Sequence, residues 1–206
     1  MDQNVILVET VPLEFDLESL GCRLRIRPGQ TKFMDRLSRL AEEAARVARP
    51  KAVARLCGLT ILDEEKVQVG EVTFSSPLLR QKMDGLGRAF PYLASEGTEL
   101  ADWSLSLSSS LEQVFASALR EVAVQQAENL LERTLLERYG IAQVSAMNPG
   151  SLKVWSLEEQ VPLFELLAPL PEKLGVTLLP SLMMRPEYSV SGVFFQTDSK
   201  FYNCQL

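Results

Sequence analysis

The chain has 206 residues, 46% of them hydrophobic, which is enough to bury a sizeable core in one domain. Its formal net charge of -6 comes from 27 acidic and 21 basic residues, so the basic surface that binds a phosphate backbone is lacking and nucleic acid is not expected as a partner. The chain contains no histidine, which excludes serine–histidine and cysteine–histidine catalysis as well as HExxH zinc sites.

Targeting signals and cysteine motifs are also missing from the sequence. Asp2 and Glu9 stand where a signal peptide carries positive charge, and no apolar run approaches the roughly 20 residues that span a bilayer, so we expect a cytoplasmic protein that does not bind membranes. Cys22, Cys57 and Cys204 are isolated and lack CxxC spacing, which predicts neither a disulfide framework nor a metal site. No glycine-rich phosphate loop is present either.

The N-terminal half alternates short helices with strand-like runs. An amphipathic helix beginning near Phe33 places its apolar residues on one face and stops at Pro50, because proline cannot continue a helix. The segments that follow are bounded by turn residues, and the middle one is the richest in β-branched residues. The predicted elements of this half are strands at residues 4–8, 52–62, 66–74 and 87–93, and helices at 16–21, 33–47 and 77–83.

The longest predicted element is a helix over about residues 110–139. Apolar residues recur there at three-and-four spacing, and neither proline nor glycine interrupts the pattern before Gly140. At about 1.5 Å per residue this helix spans roughly 45 Å, so we expect it to act as the backbone of the fold.

The C-terminal part returns to strands around one shorter helix. Ser156 lies three residues before Glu159, which is the spacing of a capping box, and Pro162 is expected to kink or restart the helix. The predicted elements of this part are strands at residues 141–146, 176–179 and 190–195, and a helix at 156–167.

The mixture of helices and strands, without strict βαβ alternation, predicts an α+β fold. We expect a largely antiparallel sheet flanked by helices, with the long helix as its backbone. The chain is predicted to form a single domain over residues 1–206, in which residues 1–100 are either part of the same body or a small N-terminal lobe.

Several short segments of the second half, taken in order, carry a family resemblance. These segments are the Pro149–Gly150 turn, Leu-Glu-Glu-Gln at 157–160, Gly-Val-Thr-Leu at 175–178, Met-Arg-Pro at 184–186, Ser-Val-Ser-Gly at 189–192 and Asp-Ser-Lys-Phe-Tyr at 198–202. They resemble the activation (reactivation) domain of cobalamin-dependent methionine synthase, the module that presents S-adenosylmethionine to a corrinoid. Looser matches at 20–23, 49–53 and 74–78 are similar to small free-standing members of that family.

The resemblance implies a binding site for S-adenosylmethionine. The family holds this ligand with an Arg-x-x-Pro-Gly-Tyr segment, an acidic residue on the long helix and a late aromatic residue. In this sequence the arginine position is Ala146 and the tyrosine position is Ser151. The acidic position falls at Val124 or Gln125, with Glu128 one turn further on, and the late aromatic is Tyr202 or Phe201. The candidate cofactor-binding residues are therefore Asn148, Pro149, Gly150, Ser151, Gln125, Glu128 and Tyr202.

The function that the resemblance implies is that of an accessory protein. It would support reductive remethylation of a corrinoid protein or B12-dependent methyltransferase, with S-adenosylmethionine as methyl donor and cobalamin supplied by the partner. Such a module positions reactants and needs no catalytic acid or base of its own, so no catalytic residue is predicted. The hypothesis requires the Pro149–Gly150 turn and the strand at 190–195 to lie side by side and to share a cleft with Tyr202.

Two alternatives remain open. A relative that has lost the donor site would act only as a binding module for a corrinoid methyltransferase. This alternative is motivated by Ala146, Ser151 and Gln125. At position 146, alanine cannot give the bidentate recognition of a carboxylate that a guanidinium provides. An unrelated hydrolase or transferase is the other alternative, although the sequence shows no nucleophile–base pair for it.

Overall fold

The structure is a computed structural model that describes residues 3–151 and 153–198. Its strands are β1 (Val5–Val8), β2 (Lys51–Arg55), β3 (Cys57–Ile61), β4 (Lys66–Val69), β5 (Val72–Ser75), β6 (Arg88–Ser95), β7 (Val144–Met147), β8 (Thr177–Leu178), β9 (Met184–Arg185) and β10 (Ser189–Gln196). Its helices are α1 (Leu17–Arg23), α2 (Thr31–Val47), α3 (Pro77–Lys82), α4 (Thr98–Ser106), α5 (Ser110–Tyr139), α6 (Gln160–Leu167) and α7 (Leu170–Leu174), and a short 3-10 helix (Leu157–Glu159) precedes α6. The predicted α+β fold, with an antiparallel sheet and one long helix, is confirmed.

Strand β6 is the centre of the main sheet. One of its edges pairs with β2 and then with β3, and the other edge pairs with β10, which in turn pairs with β7. All of these pairs are antiparallel. Strands from before and after residue 100 therefore share one sheet, while the single domain over residues 1–206 stays a prediction.

The predicted strand at 52–62 is two strands, β2 and β3, separated at Leu56. Both keep one register against β6, since Ala54 lies opposite Tyr92 and Cys57 opposite Ala89. What changes is the partner on the far edge, which is β1 for β2 and β4 for β3. The interruption thus marks a change of neighbour, which periodicity within the strand does not reveal.

The structure differs from the sequence prediction in two further respects. The predicted strand at 66–74 is a hairpin of β4 and β5, which turns at Gly70 with a φ of +59°. Helices α4 and α7 were not predicted. Serines in α4 and Pro171 in α7 weaken the helical pattern, because both residue types have low helix propensity.

The predicted capping box at Ser156 is wrong. The Ser156 hydroxyl donates to the Glu158 carboxylate, and Glu159 accepts from the backbone N–H of Ser75 at 3.1 Å. Pro162 lies in the first turn of α6, where its missing N–H has no helical partner to lose, so the helix restarts after the 3-10 segment and is not kinked.

The core has three parts, and α5 contributes to two of them. One face of the sheet packs against α5, which ends at Gly140 in the left-handed conformation (φ +62°). The opposite face packs against α6 and α7. A third cluster lies between α2, α4 and the first half of α5. Within residues 3–151 and 153–198, no helix is long and apolar enough to cross a bilayer.

Gly192 fixes how closely β10 approaches the end of β7. A Cβ atom at this position would lie 2.4 Å from the Met147 carbonyl oxygen and 2.6 Å from Asn148 Nδ2. We expect Gly192→Ala to lower the free energy of unfolding by about 1–3 kcal/mol, because the rigid backbone has to move. The matched strand variant Gly58→Ala meets nothing within 4 Å and should stay within about 0.5 kcal/mol of the parent. Urea denaturation of both variants measures the difference, and equal losses would contradict the argument.

Candidate functional site

The turn after β7 is held against β10 by the buried side chain of Asn148. Its amide group donates to the Tyr92 hydroxyl at 2.7 Å and to the Ser191 carbonyl at 2.9 Å. The turn then continues through Gly150, whose N–H donates to the Trp155 carbonyl at 2.9 Å. The predicted turn therefore lies beside the predicted late strand, as the hypothesis requires.

Tyr92 connects this turn to the long helix. Its hydroxyl donates to Glu128 Oε1 at 2.6 Å, and its ring stacks on Phe194 with centroids 3.9 Å apart. Asn148, Tyr92 and Glu128 thus form one hydrogen-bonded chain between the sheet and α5. The structure brings together two predicted site residues, Asn148 and Glu128, through a third residue that was not predicted.

Glu128 is the carboxylic acid in the hydrogen-bonded series of Asn148, Tyr92 and Glu128. Burial raises the pKa of its carboxyl group, the hydrogen bond from Tyr92 lowers it in part, and the nearby Glu132 raises it further. A carboxylate in such a position is stabilised when a positive group is placed beside it. Glu128 can therefore contribute to binding a cationic ligand.

The other predicted residues have different surroundings. Pro149 is buried, whereas Gly150 and Ser151 are exposed at the tip of the turn. Gln125 is exposed on α5, in the turn before Glu128. Tyr202 lies outside the described residues.

Ala146 is the position at which the sequence resemblance would place an arginine. It is only 4% exposed and packs in the core between the sheet and α5. An arginine at this position would enter that core, so its introduction would require a partner for the buried charge.

The glycine of the turn has an explanation within the protein. Gly150 has a φ of +81°, and a Cβ atom there would lie 2.7 Å from Leu157 Cδ1. Its conformation and its packing on Leu157 both favour glycine, so the residue type alone does not require a ligand.

The sequence interpretation did not include Tyr92 among the candidate site residues. Tyr92 lies in the predicted strand at 87–93, and nothing in its local pattern marks it. Strand alternation places Phe90, Tyr92 and Ala94 on one face, and that face packs against α5. With the face known, a tyrosine hydroxyl among apolar neighbours would have been the signal, because a buried hydroxyl needs a partner.

A separate cleft of about 480 Å³ lies between α4 and the β8–β9 hairpin. Arg120 of α5 lies in its lining, together with residues of both flanking elements. Among the predicted site residues that the structure describes, none lines this cleft.

The raised pKa of Glu128 makes a prediction about stability. The folded state binds the proton more tightly than the unfolded state, so wild-type stability falls as pH rises from the usual carboxyl pKa through the raised one. Glu128→Gln removes this contribution, and its melting temperature relative to wild type should rise between pH 4.5 and pH 8. Thermal unfolding of both proteins across this pH range measures the difference in melting temperature. The exposed control Glu137→Gln should show no such trend, and a relative melting temperature of Glu128→Gln that falls with pH would refute the argument.

A solved structure of the MetH reactivation domain bound to AdoHcy is similar to this chain, with a TM-score of 0.65 and 17% sequence identity. The similarity covers 98% of this chain and 82% of that one. No family model matches the chain, and no curated protein matches it in sequence. At this identity the likeness establishes the fold and not the activity. The resemblance seen in the sequence is therefore confirmed at the level of architecture, and the chain has the fold of the methionine synthase reactivation domain.

Proposed function

We propose that this chain binds S-adenosylmethionine at the turn after β7 and acts as an accessory module in the reductive remethylation of a corrinoid protein. The observation that carries the proposal is the fold, which matches over 98% of the chain a domain whose solved structure contains AdoHcy. The location of the ligand site is argued from this chain's own residues.

Glu128 and the exposed tip of the turn fit such a ligand. S-adenosylmethionine carries a sulfonium and an ammonium group, and a half-buried carboxylate whose pKa is raised by burial gains from a cation beside it. Tyr92 and Asn148 fix the position of Glu128 relative to the turn. In this proposal the donor supplies the methyl group, the partner supplies the cobalt, and the chain supplies their relative position.

Exposed apolar side chains next to the turn are consistent with a partner protein. Val154, Leu157 and Val161 are exposed around the start of α6, and Leu157 contacts Gly150. Grouped apolar residues on a surface favour its use in association. A corrinoid protein bound over this surface would lie directly beside the proposed donor site.

Calorimetric titration with S-adenosylmethionine tests the donor site. Wild type should bind, and Glu128→Gln should bind about tenfold more weakly, because a charge-assisted contact is lost. The control Glu137→Gln removes an exposed carboxylate of the same helix and should bind like wild type. AdoHcy lacks the sulfonium charge, so its affinity should fall less in Glu128→Gln than the affinity of S-adenosylmethionine does. Absence of heat with folded wild type at millimolar ligand would remove the donor-binding half of the proposal.

A second candidate is a binding module without a donor site, and the burial of Ala146 favours it. No guanidinium is available at that position for a ligand carboxylate, and Gln125 carries no charge. This candidate predicts co-purification with a cobalamin-loaded methyltransferase, detected by the absorbance of the corrinoid, together with no heat on titration with the donor. Failure to retain any corrinoid protein would count against both candidates.

A gain of function would locate the donor pocket. In Ser151→Tyr the added ring restores the family residue at an exposed position, so this variant should fold normally. We expect higher affinity for S-adenosylmethionine in Ser151→Tyr, and a further gain when Ala146→Arg is added, provided that the double variant keeps its melting temperature. Unchanged affinity in both folded variants would show that the alignment of the turn with the family motif is wrong.

A further inference from the structure

The cleft between α4 and the β8–β9 hairpin has the dimensions of a ligand site. Its volume of about 480 Å³ lies within the range of roughly 300–1,000 Å³ in which proteins hold small molecules. One face of α4 forms its first wall, through Thr98, Ala101, Asp102 and Leu105, which share a face because of their three-and-four spacing. The hairpin and the residues after it form the second wall.

Arg120 brings hydrogen-bond donors to this cleft. Its Nε and Nη2 atoms donate to the carboxylate of the buried Glu96, both at 2.6 Å, and its guanidinium lies over the Tyr188 ring at 4.5 Å. The remaining atom, Nη1, is 3.9 Å from Glu187 Oε2, which is too long for a hydrogen bond. Arg120 is only 8% exposed. Its Nη1 group is therefore a donor without a hydrogen-bond acceptor among the described residues.

Carboxylates stand on both walls of the cleft. Asp102 lies on α4 and Glu187 lies after the hairpin, where its side chain is 71% exposed. Arg120 is balanced by Glu96 at hydrogen-bonding distance and lies 3.9 Å from Glu187, so Asp102 and Glu187 together with the lining residue Arg185 leave one net negative charge in the cleft. The two acids can therefore receive a positive group from a ligand.

Apolar side chains complete the lining. Leu105 is 77% exposed and Met183 is 54% exposed, so each leaves a large apolar surface in water. Methionine adapts its shape to different apolar groups, which suits contact with a flexible apolar chain of a ligand. Burial of an apolar ligand chain between these walls would remove this surface from solvent.

We propose that this cleft binds a small zwitterion of the amino-acid type with an apolar side chain. The ligand carboxylate accepts from Arg120 Nη1, the ammonium group lies between Asp102 and Glu187, and the side chain packs on Leu105 and Met183. The site is separate from the proposed donor site. Arg120 precedes Glu128 by eight residues on α5, which corresponds to about 12 Å along the helix.

Three probes with the same four-carbon apolar chain separate the contributions of the charged groups. Norleucine carries both of them, pentylamine lacks the carboxylate, and hexanoate lacks the ammonium group. We expect norleucine to bind with a Kd of about 1 mM and each of the other two at least threefold more weakly. The readout is the set of methionine methyl resonances of the full chain labelled with ¹³C, where Met183 and Met184 report on the cleft and Met34 and Met83 lie elsewhere.

Variants at the exposed acids give the second test. Asp102→Asn with Glu187→Gln should weaken norleucine and pentylamine about threefold or more and leave hexanoate unchanged or tighter. Glu137→Gln is the matched control and should change none of the three. Arg120 is kept, because its removal would leave Glu96 buried without a partner. Equal binding of the three probes, shifts confined to Met34 and Met83, or no saturable shift in the folded protein would overturn the proposal. Met183, Met184, Asp102 and Glu187 all line this cleft, so shifts and variants at these residues report on it separately from binding at Glu128.

Discussion

The arrangement of the long helix against the sheet depends on one buried ion pair. Glu96 is fully buried at the end of β6 and accepts two hydrogen bonds from Arg120 and a third from the backbone N–H of Tyr188 at 3.2 Å. Burying a carboxylate without such partners costs several kcal/mol of folding free energy. The C-terminal end of β6, the middle of α5 and the start of β10 therefore have to meet at this point. The cleft and the proposed donor site both lie on elements that this meeting point holds together.

A second polar connection between the same layers lies further along α5. Glu128 reaches β6 through the Tyr92 hydroxyl, and Tyr92 reaches the end of β7 through Asn148. The two connections differ in their chemistry. Glu96 has a cation that balances it within the protein, whereas the described neighbours of Glu128 are a neutral hydroxyl and a further carboxylate. That difference makes Glu128 the better candidate for meeting a positive ligand from outside.

The sequence predicted those elements whose pattern is complete within their own residues. Helix α5 was placed correctly because its apolar spacing continues without interruption up to Gly140. The turn at Gly70 and the break at Leu56 were missed, since both depend on which strand lies alongside. In the same way, family resemblance pointed to Asn148 and Glu128, but their connection through Tyr92 required the pairing of β6 with β10 to be known. Motif spacing gives positions along a chain and does not give the partners across a sheet.

The uninterrupted register of β2 and β3 on β6 limits how the length of this chain can vary during evolution. Because side chains alternate between the two faces of a sheet, inserting or deleting a single residue near Leu56 would turn one of the strands inside out relative to its core. Amino-acid exchanges there need only preserve packing. Gains and losses of residues should instead accumulate at hairpin tips such as Gly70, where no strand across the sheet has to follow the change.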